Sequence, residues 1–307
     1  MTEMGTVANQ TAHTAQLMRW ATYASVSVAA VLIVTKVVAW VLTDSVSLLS
    51  TLIDSLLDAA ASVINLVAVR HALQPADDEH RFGHGKAEPL AGLAQSAFIV
   101  GSALFLIFES IERIAHPTII VNPEIGYSVM VFSIVVTVGL VIFQRYVVRK
   151  SGSLTISADS LHYQTDVMIN GSVILSIFLA SELGMTLADP IFAIGIALFI
   201  SYTAWKIGME ALNILMDHEL PDDDRRKIIE IACAQDGVEG VHDLRTRFSG
   251  TQVFIQMHVE MDGDMPLRRA HEIADVVELE VGEAYPNSEV IVHQDPEGIE
   301  DVERDRF

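Results

Sequence analysis

Residues 48–65 read LLSTLIDSLLDAAASVIN, and how this stretch is read decides the fold. It sits in an apolar segment from Val46 to Ala72, which at about 1.5 Å per residue is long enough to cross a bilayer as a helix. Two carboxylates interrupt it. Asp54 and Asp58 are four apart and therefore share one helical face. Ser47, Thr51, Ser55, Ser62 and Asn65 recur at the same three- and four-residue steps, so a polar stripe runs down an oily rod. Such a stripe faces protein or water, because each aspartate at mid-membrane costs on the order of 2.5–3.5 kcal/mol to insert.

A partner for the stripe lies in the apolar segment from Leu154 to Leu183. Its residues LHYQTDVMIN place His162 and Asp166 at the same four-residue spacing, and Asp159 and Asn170 extend the polar face in either direction. If the two helices face each other, Asp54, Asp58, His162 and Asp166 converge as three carboxylates and one imidazole. That donor set suits a four-coordinate divalent ion, zinc above all; it also accepts cadmium, with manganese, iron(II) and cobalt less well matched. Polar faces that line a water cavity or join helices would use small polar residues without ionisable groups. Asp54 lies about eight residues from one end of its segment, roughly 12 Å deep. Three carboxylates crowded in a low-dielectric site cannot all carry charge when it is empty, so the empty site is expected to hold protons, which a divalent ion displaces.

The remaining chain is consistent with a membrane protein. Of 307 residues, 51% are hydrophobic, and the mean hydropathy of +0.39 is above that of ordinary soluble proteins. Further spans are expected over Leu17–Leu42, Leu90–Ile114, Gly126–Val148 and Asp189–Leu215, six in all. Residues 1–16 read as a loose cytoplasmic tail rather than a cleaved leader, and Lys36 in the first span is expected to snorkel to an interface. Arg70, Arg81, Lys86, Arg145, Arg149 and Lys150 fall in alternate connections, whereas the opposite connections hold only Arg113. Both termini are therefore expected in the cytoplasm. Cys233 is the only cysteine, which excludes an intrachain disulfide and a thiolate cluster.

Two more regions gather ligand-type residues. The connection from Gln74 to Glu88, QPADDEHRFGHGKAE, holds Asp77, His80 and His84, with Gly83 and Gly85 to let the backbone fold around an ion. A merely solvated acidic loop has the same composition, and spacing alone does not separate the two. After Leu220-Pro221 breaks the last span, a soluble domain is expected over residues 220–296, followed by an acidic tail at 297–307. Its pattern is helix Asp222–Gln235, hairpin Asp243–Phe248 and Gln252–Met261, helix Met265–Tyr285 and strand Glu289–Val292, a small open α+β sheet of ferredoxin-like character. Here lie His242, His258, His271 and His293, with Asp295 beside the last; spacing does not distinguish a metal site from surface histidines. From Pro221 on there are 22 acidic and 9 basic residues, a net of −13, which argues against nucleic acid and suits a gatherer of cations. His13, His71, His116 and His218 have no ligand-type neighbours in the sequence and are assigned no role.

The two Asp-x3-Asp and His-x3-Asp pairs on the second and fifth of six spans, the QPADDEHRFGHGKAE loop, and the HDLRTRFSG and VIVHQDP segments together resemble the cation diffusion facilitators, closest to their bacterial zinc/proton antiporters. The likeness runs from about Arg19 to Pro296. It implies a transport site at Asp54, Asp58, His162 and Asp166, a loop site at Asp77, His80 and His84, and a binuclear site at His242, His258, His271, His293 and Asp295. It also implies a homodimer in a bacterial inner membrane, with tail domains meeting around that last site and a Lys86–Asp217 charge pair near the dimer hinge. The expected activity is secondary transport, cation efflux coupled to protons, and not catalysis. A membrane-anchored metal sensor is the alternative, and it would leave the intramembrane aspartates without purpose. An intramembrane aspartyl hydrolase would have no use for His162 or the histidine-rich tail.

Overall fold

The computed structural model of the chain describes residues 2–43, 46–115, 123–183, 187–250 and 252–298. Six long helices come first: α1 (Thr2–Thr43), α2 (Val46–Ala72), α3 (Ala87–Ala115), α4 (Pro123–Ser151), α5 (Leu154–Leu183) and α6 (Ala188–Leu215). Among the described residues, stretches of α1, α3, α4 and α6 are long and apolar enough to cross a membrane by composition alone. Helices α2 and α5 match them in length, 27 and 30 residues. Their polar stripes dilute the hydropathy, and those stripes turn toward protein. Residues 2–16, expected as a loose tail, are instead the first turns of α1. No proline interrupts them, and extending a helix already fixed by an apolar span avoids the cost of a new nucleus.

Helix α5 is the centre of the membrane unit and packs against α2, α3 and α4. Small residues make this possible: Ala158 on α5 and Ala204 on α6 are fully buried in one cluster with Ile99 and Ile200, and a methyl added at Gly208 of α6 would lie 3.3 Å from Ser96 Cβ of α3. Close helix approach through small side chains is how membrane helices gain packing where lipid offers no hydrophobic drive. Lys36 does not snorkel. Its ammonium donates to buried Ser55 of α2 at 2.6 Å, which keeps a cation inside the bundle beside the acidic stripe.

Among the described residues the most buried carboxylate of this unit is Asp159, 3% exposed. Its Oδ2 accepts from Ser25 of α1 (2.7 Å) and Gln144 of α4 (2.6 Å), and its Oδ1 accepts from Asn65 of α2 (3.0 Å). Asn65 also donates to Gln95 of α3. One carboxylate thereby ties five helices together through charge-assisted bonds. Asp159→Ala removes the acceptor shared by Ser25, Gln144 and Asn65 and leaves the buried Gln144 amide without its Asp159 partner. It is expected to destabilise the bundle by about 3–5 kcal/mol, seen as a marked fall in the thermal midpoint of the detergent-solubilised protein; an unchanged midpoint would refute this clamp.

The chain divides into two compact units, one of residues 12–212 and one of residues 1–11 with 213–307. The second contains α7 (Asp222–Cys233), β1 (Gly240–Ser249), β2 (Gln252–Met261), α8 (Leu267–Ala284) and β3 (Ser288–Pro296). β2 is central, antiparallel to β1 and parallel to β3. On one face of β2, Met257, Val259 and Met261 are buried against Ile228 and Ala232 of α7 and Ala270, Ile273, Val277 and Val281 of α8. The opposite face carries His258 and Glu260. Tyr285 donates to the Asp224 backbone carbonyl at 3.0 Å and pins the end of α8 to α7; burial, then the Asp224 charge, pushes its phenol up to about 12, so it stays a donor. β1 starts three residues before the expected Asp243, because a bulge between His242 and Arg245, with Asp243 at φ 45°, lets pairing resume on its far side.

Candidate metal centres

Between α2 and α5, His162 Nε2 lies 2.8 Å from Asp58 Oδ1, and ligand atoms of Asp58, His162 and Asp166 all fall within 4.8 Å of one another. The cause is local: residues 162 and 166 are one turn apart on α5, and α2 presents Asp58 to the same level. The His162 side chain is 9% exposed and that of Asp58 20%, so the group is largely shielded yet not sealed. The rings of Phe98 and Tyr163 flank the imidazole, with centroids 6.0 and 5.7 Å away. Two carboxylates and an imidazole at this spacing suit a divalent ion with one position to fill. The Asp54 side chain lies outside the described residues; its place on α2 is one turn before Asp58.

In the loop after α2, Asp77, His80 and His84 form a second group. Asp77 Oδ1 accepts the His80 and Glu79 backbone amides at 2.6 and 3.0 Å, an Asx turn that folds the chain back on itself. Oδ1 is also 3.3 Å from His80 Nδ1, and Oδ2 is 3.4 Å from His84 Nε2. The His80 amide above all, helped by the Glu79 amide and His84, holds the Asp77 carboxyl below its ordinary range against the opposing effect of burial. The loop thus offers an ionised carboxylate to two imidazoles.

The third group follows from strand register. His242 of β1 pairs with His258 of β2, which pairs with His293 of β3, so three imidazoles stand side by side on one face of the sheet. Ring centroids are 5.2 and 4.6 Å apart. Asp295, two residues along β3 and so on the same face, uses both oxygens: Oδ2 is 2.7 Å from His258 Nδ1 and 3.2 Å from His242 Nε2, while Oδ1 is 3.2 Å from His293 Nε2. His242, His258 and Asp295 form the tight set. Burial works to raise the Asp295 carboxyl, but the His258 hydrogen bond and the charges of His258, His293 and His242 together bring it below its usual value. His271 is not gathered with them; it is exposed on α8 and faces Asp275 at 3.6 Å.

Of the expected charge pair, Lys86 belongs to the membrane unit and Asp217 to the C-terminal unit, where Asp217 Oδ1 accepts from Arg247 at 3.2 Å. Two participants were not foreseen in the sequence. Glu260 lies 3.0 Å from His242 Nδ1, which sets a carboxylate beside that imidazole; its alternation with His258 on β2 was the available signal. His71 places its ring 4.5 Å from that of His84, which six residues of separation from Asp77 did not reveal.

Residues 22–216 match the family described as cation efflux transmembrane domain, and residues 220–297 match the cation efflux protein cytoplasmic domain. Relatives include the cation-efflux pump FieF of Salmonella choleraesuis (strain SC-B67) and that of Salmonella enteritidis PT4 (strain P125109). Each is 50% identical over 281 residues, covering 92% of this chain and 93% of theirs. A solved structure titled MamM-CTD 215-293 is 28% identical, covers 24% of this chain and 96% of its own, and has a TM-score of 0.24.

Proposed function

The chain belongs to the cation diffusion facilitator family of cation efflux proteins, and from that premise we propose that it exports zinc from the cytoplasm in exchange for protons, by alternating access, as a homodimer in a bacterial inner membrane. An integral membrane divalent-cation efflux transporter is what the family amounts to; the choice of ion, the coupling and the residues are the reading argued here. One observation carries it: Asp58, His162 and Asp166 meet between two membrane helices, where ionisable groups are costly and a shared cation offsets that cost. Asp54, one turn from Asp58, is the fourth ligand, giving the mixed oxygen and nitrogen set that zinc accepts.

The chemistry of exchange follows from charge. With zinc bound, the site balances two positive charges with ionised carboxylates; without it, protons replace the metal. If the zinc-loaded and protonated forms favour opposite-facing conformers, a proton gradient drives zinc outward. Helix α5 is the element suited to report occupancy to the bundle, because the same helix that carries His162 and Asp166 carries Asp159, the clamp on four other helices. Cadmium, iron(II) and manganese are competing ions for the same donors.

Asp77, His80 and His84 form the loop site in this reading, and His242, His258, His293 and Asp295 the cytoplasmic site. His271, exposed on α8, completes that last site from a partner copy, and Lys86 pairs with Asp217 near the dimer hinge. A membrane-anchored sensor would bind zinc at the cytoplasmic cluster without moving it. Proteoliposomes loaded with a pH dye separate the two: an imposed proton gradient is expected to drive zinc uptake with matching proton release, and zinc binding without flux would establish the sensor.

A further inference from the structure

His71 ends α2, the helix that carries Asp54 and Asp58, and its ring meets that of His84 with centroids 4.5 Å apart at 65°. His80 also packs on His84, its centroid again 4.5 Å away, at 45°. Three imidazoles are therefore gathered around His84, and the carboxylate of Asp77 meets two of them. His84 is 8% exposed, and its buried Nδ1 has no hydrogen-bond partner. An imidazole held under cover with an unanswered nitrogen is a group made ready for a ligand. Asp77, His80 and His84 supply three donors, whereas a closed zinc site takes four.

We propose that His71 is the fourth ligand of the loop metal site, swinging from its stacked position on His84 onto a zinc ion held by Asp77, His80 and His84. Only side-chain rotation is needed, because the ring is exposed and already lies against one of the other ligands. The site then has three nitrogens and one oxygen. It also gains a bond to the last turn of α2, so that an ion in the loop fastens the end of the helix whose middle carries the transport aspartates. This inference rests on the loop reading given above and adds a ligand and a mechanical consequence to it.

The test uses the full-length protein in detergent carrying Asp58→Ala and Asp295→Ala, so that the loop is the remaining candidate site, titrated with zinc and examined by zinc X-ray absorption. With His71 present, the spectrum is expected to count three imidazoles per ion. His71→Phe keeps a ring packed on His84 and removes the nitrogen; the count is expected to fall to two and the affinity by at least the tenfold, roughly, that loss of even an outer partner costs. Three imidazoles counted in His71→Phe, or an affinity equal to that of the parent, would reduce His71 to a packing residue. If the parent binds no zinc and a further His80→Ala change alters nothing, the loop site itself fails and the fourth ligand with it.

Discussion

Replacing Asp58 with alanine is expected to reduce zinc-dependent proton flux in proteoliposomes to the level of protein-free vesicles. The expectation is severe because Asp58 stands in two relations at once. Its Oδ1 lies 2.8 Å from His162 Nε2, and it shares the 4.8 Å ligand volume with Asp166. In the proposed exchange its removal takes a carboxylate from the metal and from beside the His162 imidazole. It also removes a group that holds a proton when zinc is absent, so both halves of the exchange lose a participant. Asp58→Asn tests the charge separately: it keeps an oxygen at the site yet has no carboxylate to protonate, and it is expected to be equally silent in proton release. Folding is not the confounder it would be at Asp159, because Asp58 is part-exposed and makes none of the five-helix bonds described above. Normal exchange of zinc for protons by Asp58→Ala would mean that the ion travels elsewhere.

Much of this arrangement was legible in the sequence, for a physical reason. Four-residue spacing on a helix fixes a shared face, so Asp58 had to lie one turn from Asp54, and His162 one turn from Asp166; only the facing of α2 and α5 was left to be found, and burial of two acidic stripes permits few other solutions. Strand pairing was harder. That His242, His258 and His293 stand in one row depends on the register of β1, β2 and β3 and on a bulge at Asp243, none of which composition encodes. Nothing in residues 1–16 distinguished a tail from a helix, because their propensities are middling and the deciding influence is the span that follows. His71 was missed because its partner, His84, is thirteen residues away and reaches it only through the fold of the loop. Lys36 was misjudged on side-chain length alone, since the hydroxyl that holds it, Ser55, belongs to another helix.

Asp295→Ala is expected to empty the cytoplasmic cluster more thoroughly than loss of any single histidine. Each imidazole there meets the carboxylate, but the carboxylate meets all three: His242 and His258 share Oδ2, and His293 faces Oδ1. A carboxylate so placed can bridge two ions, one per oxygen, and its depressed titration keeps it ionised and ready to ligate at neutral pH. His293 is 65% exposed and contributes from the rim, so His293→Ala is expected to weaken only the ion on its side. In the full-length protein carrying Asp58→Ala, Asp295→Ala should lower zinc affinity at this cluster by more than the 10- to 100-fold or so that outer partners cost, read as lost stoichiometry by calorimetry. The comparison with His293→Ala decides the architecture. If Asp295→Ala and His293→Ala remove the same single equivalent of zinc, the carboxylate serves one ion; if Asp295→Ala removes twice as much, it joins two. Since His242, His258 and His293 lie on three adjacent strands, a two-ion bridge would make the sheet itself stiffer when zinc is abundant. That is a property by which a rising cytoplasmic metal level can bias the transporter without touching the intramembrane site.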